Sequence, residues 1–516
     1  MENKKNVLTY GFIVICVGLS KCLALVREMM LAHFYGTTYA ATAFAAASKI
    51  PLIFFDITLG TAVASAFIPI FNEYLTKDDS ARAFRFASIF ITATGLIASG
   101  ITLLTALVPR VAIKLIAPGF DERTTALASE LLRILSPVIL LAAVCYCLVG
   151  ILQSLGEFNR PAIISVVSNL ALIAYFLFFN DSFGIVGLSV SLLIGWTLQL
   201  LILLPPIFKR GFRHRPVVDF SDIGLKRTAA LAVPVLISSW VQPLNTLIST
   251  NIASRIDLSS VAVMNYAYQI YFMLSGLFSY GITNLYFPEM SRNFAAGRHE
   301  EGRQLLYKLL CTISLVVLPI IAFVASSSTQ IVEFVYGAWG GAFTQRDILA
   351  TSSMLFGYIF GMLGLSWQEI LSKYFYSLQD AKTPMKVSML AIALNIILSI
   401  FFSRRIGATG IALASTISIT VMAGALFWLC RRNATSKEEL NVFSSLKSGA
   451  LSALFCTLLM VFLNILLPLP QSVIFAIVRL FIIFAIGISS YIGLLLLFKN
   501  RLATGLVHIF FKKGGE

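Results

Sequence analysis

The sequence predicts an all-α polytopic membrane protein of about fourteen transmembrane helices, and three observations carry that prediction. Of the 516 residues, 58% are hydrophobic and only 12% charged, with a mean hydropathy of +0.87, more apolar than a soluble globular chain tolerates. Apolar runs of about 20 residues or more, long enough to cross a bilayer, follow one another with short polar gaps between them. Those runs lack the alternation of a membrane-barrel strand, so helices alone satisfy every backbone amide in lipid.

Taken in order, the first span covers 7–34. It follows Lys4 and Lys5 but is too long for a signal h-region, is interrupted by Lys21 and has no small-residue cleavage site, so it is expected to persist as helix 1. Span 2, 40–71, contains Lys49 and Asp56 and closes on AFIPIFNEY (Ala66 to Tyr74). Spans 3 and 4, 84–112 and 125–153, lead to the turn SLGEFNRP (Ser154 to Pro161), after which spans 5 and 6 cover 161–180 and 184–208. Spans 7 and 8, 224–253 and 259–290, end on LYFPEMSRN (Leu285 to Asn293). Spans 9 and 10, 304–336 and 348–379, lead to SLQDAKTP (Ser377 to Pro384), followed by spans 11 and 12 at 384–403 and 407–430. Spans 13 and 14 are placed at 444–468 and 472–498.

An even number of spans puts both termini on one side. Loops on that side hold 26 of the 39 Lys and Arg, while the opposite loops hold seven: Arg110, Lys114, Arg123, Arg255, Arg346, Arg404 and Arg405. The positive-inside rule then makes both termini cytoplasmic. The net charge of +15 reads as this topology signal plus attraction to anionic head groups. Nucleic acid is not an expected partner, because no basic domain stands apart from the spans.

The chain also repeats itself. Ser154, Leu155 and Pro161 match Ser377, Leu378 and Pro384 at an offset of 223 residues, and at that same offset Gly184 and Gly187 match Gly407 and Gly410. Prolines Pro69 and Pro288 close spans 2 and 8 at an offset of 219. Two six-helix halves in parallel orientation follow, a transporter architecture whose site is expected between the halves near the midplane. The expected domains are an N-terminal lobe at 1–208, a basic cytoplasmic linker at 209–222, a C-terminal lobe at 223–433, and helices 13 and 14 with a tail at 434–516.

Catalytic and metal chemistry find little support. Cys16, Cys22, Cys145, Cys147, Cys311, Cys430 and Cys456 lie in or beside apolar spans without metal-ligand company and read as small core hydrophobes. His33, His214, His299 and His508 are scattered, and no phosphate loop or nucleophile elbow occurs. No cofactor or metal is expected; coupling to the membrane potential or to an ion is left open.

Charges inside spans are costly, about 2.5 to 3.5 kcal/mol each on insertion scales, and usually face a cavity or a partner. Glu369 with Lys373 and Glu130 with Arg133 are spaced as structural ion pairs on one helix face. Arg479 in span 14 stands alone and is expected to meet a lipid or an acidic group of another helix. Lys21, Arg27 and Lys49 set three cations against Glu28 and Asp56 on the first two spans. Arg27 and Glu28, being adjacent, are not expected to face each other on a regular helix. Snorkelling to the interface accounts for residues near helix ends but poorly for Lys21, near mid-span. A cationic cavity suits an anionic substrate, since Arg presents a fork that matches phosphate oxygens and Lys a movable point charge.

Five stretches carry a family resemblance: VREMMLAHFYGTTYAATAFAAASKIP (Val26 to Pro51), AFIPIFNEY, LIAPGFD (Leu115 to Asp121), GILQSLGEFNRPA (Gly150 to Ala162) and KYFYSLQDAKTP (Lys373 to Pro384). Together they resemble the MurJ/MviN family of lipid II flippases, within the multidrug/oligosaccharidyl-lipid/polysaccharide exporter superfamily. The resemblance implies two six-helix lobes and two further C-terminal helices beside a groove for a polyprenyl tail. It also implies a central cavity with alternating access, and undecaprenyl-diphosphate carrying a disaccharide-pentapeptide as substrate. By position, Lys21, Arg27 and Lys49 correspond to basic residues that bind the diphosphate. Candidate cavity residues are Glu28, Thr42, Phe55, Asp56, Asn265, Tyr268 and Gln269. Thr42 stands where the family has an acid, and Leu52, Phe55 and Asp56 replace an asparagine and two basic residues. Tyr268 and Gln269 replace an aspartate and an arginine. Tyr266, Tyr268, Gln269 and Asn265 offer rings and amides to a sugar, against the commoner role of such aromatics as core packing.

The expected function is a flippase that moves lipid II from the inner to the outer leaflet of the bacterial plasma membrane, in contact with the bilayer and its lipid-linked sugar-diphosphate. Other cell-wall synthesis proteins are candidate partners. Three alternatives stay open at this stage. One is a paralogous flippase for another undecaprenyl-linked oligosaccharide. A cation-coupled drug exporter would require an acidic cavity. A membrane enzyme would need paired carboxylates such as Asp78 with Asp79 or Glu300 with Glu301, which sit on charged, solvated turns.

Overall fold

The computed structural model describes residues 2–52, 60, 63–76, 80–239, 241–431, 436–467 and 472–498. These residues form helices and short turns and contain no strand. Nine helices among them are long and apolar enough to cross a membrane, or ten when Gln345–Ile359 and Gly361–Ser377, bent by 42°, count as one span. The other predicted spans are 1, 2, 7 and 8, the first two of each half. Spans 2 and 8 each contain a five-residue π-helical turn, at Val63–Phe67 and at Gly276–Tyr280, and a third, Glu333–Gly337, ends span 9. Such turns shift helix register by one residue and recur at functional sites.

Helix ends follow local chemistry. Predicted span 3 reaches residue 112, but the helix Ser80–Leu107 stops short and a separate helix, Pro109–Ile116, begins at a proline. Pro109 has no N–H and is tolerated only in a first turn. This short helix buries Pro109, Ile113 and Ile116 and leaves Arg110 and Lys114 exposed. Helix 4 (Glu122–Leu135 continued by Pro137–Ser154) is capped by Asp121, whose carboxylate accepts from the Thr124 N–H at 3.1 Å. Helix 11, Lys382–Ile406, starts beside Asp380, which accepts from Lys382 N, Thr383 N and Thr383 Oγ1 at 3.1, 3.0 and 2.6 Å. The Thr383 hydroxyl in particular holds the Asp380 carboxyl below the usual range.

The duplication is written into the backbone. Helix 4 ends with Gly156 at φ +76°, and 223 residues on Gln379 ends helix 10 at φ +60°. Glu157 N bonds Leu152 O at 2.8 Å and Asp380 N bonds Phe375 O at 2.9 Å; Gly156 N bonds Gln153 O and Gln379 N bonds Tyr376 O. Both turns are therefore the same Schellman closure. Gly184 and Gly407, also 223 apart, share φ values of +55° and +63°.

Packing divides the described chain into two compact units, Met1–Ala262 and Val263–Glu516. This boundary differs from the one the repeat suggests, because helix 7 (Ile223–Ser239 and Val241–Ser254) packs within the first unit. At one end of that helix, Arg227 donates both terminal nitrogens to Glu73 at 2.8 and 3.3 Å. At the other, Asn251 donates to the Leu115 carbonyl at 2.9 Å and Ser254 Oγ accepts from Gly119 N at 3.2 Å. Residue 119 has to be glycine, since a Cβ there would lie 2.1 Å from the Ser254 carbonyl oxygen. The basic linker is held as well: Phe212 is buried against Phe84, and Arg215 N and Val217 N donate to Ser88 and Thr92 hydroxyls of helix 3.

Within the second unit, helices 13 (Ser436–Leu466) and 14 (Val473–Leu497) dock on helix 9 (His299–Val332). The shared core contains Leu315, Leu318, Ala322, Ala453, Cys456, Met460, Ile483 and Tyr491. Gly487 leaves room for Met460, whose Cε a Cβ would meet at 1.7 Å. Outward faces carry large apolar residues such as Leu390, Ile465, Ile474 and Phe481, as lipid contact requires.

A non-glycine residue in the left-handed region is strained by about 1 to 2 kcal/mol. Gln379→Gly should raise stability by about 1 kcal/mol in denaturant titrations of solubilised protein, and Gly156→Gln should lower it by a similar amount. Equal stabilities would remove the strain assigned to Gln379.

Candidate functional site

Helix 1, Glu2–Tyr35, and helix 2, beginning Tyr39–Leu52, bring the first unit's buried charge together. Arg27 divides its guanidinium between two acceptors: Nη2 donates to Glu28 Oε1 at 2.6 Å and Nη1 to Asn169 Oδ1 at 3.2 Å. Asn169 is itself fixed, donating from Nδ2 to Ser165 O at 2.9 Å and to Ser20 O of helix 1 at 3.4 Å. Helix 5 (Asn159–Phe178) thereby aims the fork of Arg27. Glu28 is only 6% exposed, and its second oxygen, Oε2, has no hydrogen-bond partner. The adjacent Arg27 and Glu28 do meet, contrary to the expectation from helix geometry. The reach of the arginine side chain closes the angle of about 100° between neighbouring positions.

Lys21 lies on an exposed position of helix 1, six residues or about 9 Å of helix axis from Arg27. Lys49 donates from Nζ to Thr250 Oγ1 of helix 7 at 3.0 Å, and Thr250 donates onward to Thr246 O. Setting Lys21, Arg27 and Lys49 against Glu28 leaves an excess of two positive charges among the described residues of this cluster. Thr42 is fully buried and its hydroxyl has no partner. Leu52 is half-buried. Phe55 and Asp56 lie outside the described residues.

The remaining candidates belong to the second unit. Asn265, Tyr268 and Gln269 are half-buried on Ser260–Ser275. Tyr268 stacks on Phe272 at 5.9 Å and meets Tyr358 edge-on at 5.8 Å. Tyr266 is a core residue, packed on Tyr336 and Phe343, with the Tyr336 hydroxyl donating to its carbonyl. Glu369 and Lys373 form the expected ion pair at 3.3 Å. Glu130 and Arg133 form none among the described residues; Arg133 Nε donates instead to the Ala106 carbonyl at 3.3 Å.

Asn169 and Thr250 were missed from sequence, although a mid-span amide in VSNLALIAYF is a signal of the same kind as a mid-span charge. No cluster of three or more His, Cys, Asp or Glu side chains suited to a metal occurs among the described residues. What the arrangement offers is anion binding. Arg27 has five N–H donors and spends two on the contacts above, while Lys21 and Lys49 add mobile charges.

Removing Arg27 leaves Glu28 buried without its cation, which costs about 3 kcal/mol. Arg27→Ala should therefore destabilise the protein by about that amount, and adding Glu28→Gln should restore most of it, as read by thermal unfolding of the solubilised protein. If Arg27→Ala alone were neutral, the pair would not be a stability element.

Residues 31–486 match the family model described as lipid II flippase MurJ. A protein of Buchnera aphidicola subsp. Schizaphis graminum, described as a probable lipid II flippase MurJ, is 26% identical over 521 residues, covering 99% of this chain and 100% of the relative. Among solved structures, a lipid II flippase MurJ in an inward closed conformation is similar with a TM-score of 0.80 at 24% identity, covering 96% of this chain and 99% of that one. An inward-facing multidrug resistance MATE transporter of the MOP superfamily is similar with a TM-score of 0.68 at 15% identity, covering 84% and 99%. Both structural likenesses concern the fold, which is the one the duplication, the broken spans and the two appended helices describe. Because the family model spans most of the sequence, the chain belongs to the lipid II flippase MurJ family.

Proposed function

We propose that this protein flips lipid II, an undecaprenyl-diphosphate carrying a disaccharide-pentapeptide, from the inner to the outer leaflet of the bacterial plasma membrane by alternating access. The observation that carries the reading is the cationic cluster of Lys21, Arg27 and Lys49, set on membrane helices of a MurJ-family chain with one described carboxylate against it. Positive charge on membrane helices is costly, and a diphosphate arriving from the leaflet is an anion that suits it.

In this reading Arg27 presents its remaining N–H donors to phosphate oxygens, with Asn169 fixing the plane of the fork. Lys49 exchanges the Thr250 hydroxyl for a phosphate oxygen, and Lys21 adds charge about 9 Å along helix 1. Glu28 keeps part of Arg27 neutralised, which weakens the anion site enough for release. Both termini are cytoplasmic, following the distribution of Lys and Arg over the loops. Outward movement of a substrate bearing net negative charge runs with an inside-negative potential, at about 2.3 kcal/mol per charge per 100 mV. The membrane potential is thus a candidate driving force without any cofactor.

A charge-assisted hydrogen bond is worth about 1.5 to 3 kcal/mol, so Arg27→Ala or Lys21→Ala should weaken diphosphate-lipid binding by roughly 10- to 100-fold. In a strain depleted of its own lipid II flippase, the wild-type chain should restore growth and either variant should fail at equal membrane abundance. Full rescue by the double variant would remove these residues from the function, and failure of a well-expressed wild type would point to another lipid-linked cargo.

A further inference from the structure

Arg479 lies in helix 14 and is only 6% exposed. Its Nη2 donates to the Asn464 carbonyl near the end of helix 13 at 2.7 Å, one of the last carbonyls that a helix leaves unbonded. That contact uses one of its donors. Nε is buried without any hydrogen-bond partner, and so is Oδ1 of Asn464. The Asn464 amide donates instead to Ser326 O and Ser327 Oγ, where helix 9 departs from helical geometry at Ser327 (φ −130°).

Both orphaned groups belong to residues that line a cavity of about 310 Å³ where helices 9 and 13 end and helix 14 begins. Gln330 near the end of helix 9, Glu333 at the start of the π-helical turn Glu333–Gly337 that follows it, and Ser472 at the start of helix 14 also line it. Its size is that of a small ligand pocket. Glu333 and Arg479 both line this space, and among the described residues they form no ion pair with each other. The amino-terminal turn of helix 14, capped by Ser472, adds a positive dipole end beside Arg479. Arg479 begins about 9 Å below the helix start, and helical side chains lean toward the N-terminus, so its guanidinium reaches toward head-group depth.

We propose that this cavity is a lipid site, separate from the Lys21, Arg27 and Lys49 cluster, that holds the head group of a bilayer lipid carrying a phosphodiester and a primary amine. The phosphate takes the terminal guanidinium N–H donors of Arg479 left over from the contact with the Asn464 carbonyl, together with the helix 14 amino terminus. The ammonium takes the exposed carboxylate of Glu333, an acceptor only. A purely anionic head group satisfies Arg479 but sets like charge against Glu333. The zwitterionic head group matches both, and by bridging helix 9 to helices 13 and 14 it ties the appended pair to the second unit from the lipid side.

The test is lipid retention by the purified full-length protein in detergent, read by native mass spectrometry against phosphatidylethanolamine, phosphatidylglycerol and inorganic phosphate. Wild type should hold phosphatidylethanolamine at least 10-fold more tightly than phosphatidylglycerol and should not retain phosphate alone. Arg479→Gln should lower phosphatidylethanolamine binding at least 10-fold. Glu333→Gln, at an exposed position that does not threaten folding, should abolish the preference for phosphatidylethanolamine while leaving phosphatidylglycerol binding intact. An unchanged preference in Glu333→Gln overturns the proposal, as does equal retention of both lipids by wild type. Retention of inorganic phosphate alone would mean that the site takes a free anion rather than a lipid.

Discussion

The arrangement of the first unit depends on one buried charge, the guanidinium of Arg27. An arginine inside a membrane helix is stable only with its donors satisfied, and here two are taken by Glu28 and Asn169. Glu28 in turn is buried and tolerable only because Arg27 is there. Asn169 ties helix 5 to helix 1 through the Ser20 carbonyl. Arg27 is therefore a structural knot that still has three N–H donors beyond its contacts with Glu28 and Asn169.

Helix 7 gives the second constraint. Sequence repetition assigns it to the later half, yet Arg227 to Glu73 at one end and Asn251 to Leu115 at the other hold it in the first unit. Thr250 accepts the Lys49 ammonium between those ends. All of these contacts are polar and lie at termini or at single turns. Helix 7 adds only a small apolar contact, Ala232 and Leu236 against Ala66, whereas helices 13 and 14 dock on helix 9 through a continuous apolar cluster.

Much of the fold was legible because the bilayer limits what a sequence can do. Nine or ten of the fourteen predicted spans reappear among the described residues as helices long and apolar enough to cross a membrane, and the offset of 223 between SLGEFNRP and SLQDAKTP reappears as matched φ values at Gly156 and Gln379. Charged site residues were legible because charge in lipid needs a reason. Their partners were not, because Asn169 and Thr250 are cheap enough in a membrane helix to pass unnoticed. The Arg27 to Glu28 contact contradicted a rule about helix faces that treats side chains as short. Departures such as Thr42, Tyr268 and Gln269 kept their identity but gained a physical setting: a fully buried hydroxyl, an aromatic stack and a half-buried amide.

The central claim is that the positive cluster on helices 1 and 2 carries a diphosphate lipid across the bilayer. Its most direct test is leaflet accessibility of lipid II in sealed vesicles containing the purified protein, comparing wild type with the charge-balanced variant Arg27→Ala with Glu28→Gln. The account predicts that wild type moves the lipid between leaflets without altering its covalent structure and that the folded double variant does not. Equal movement by both proteins would contradict it.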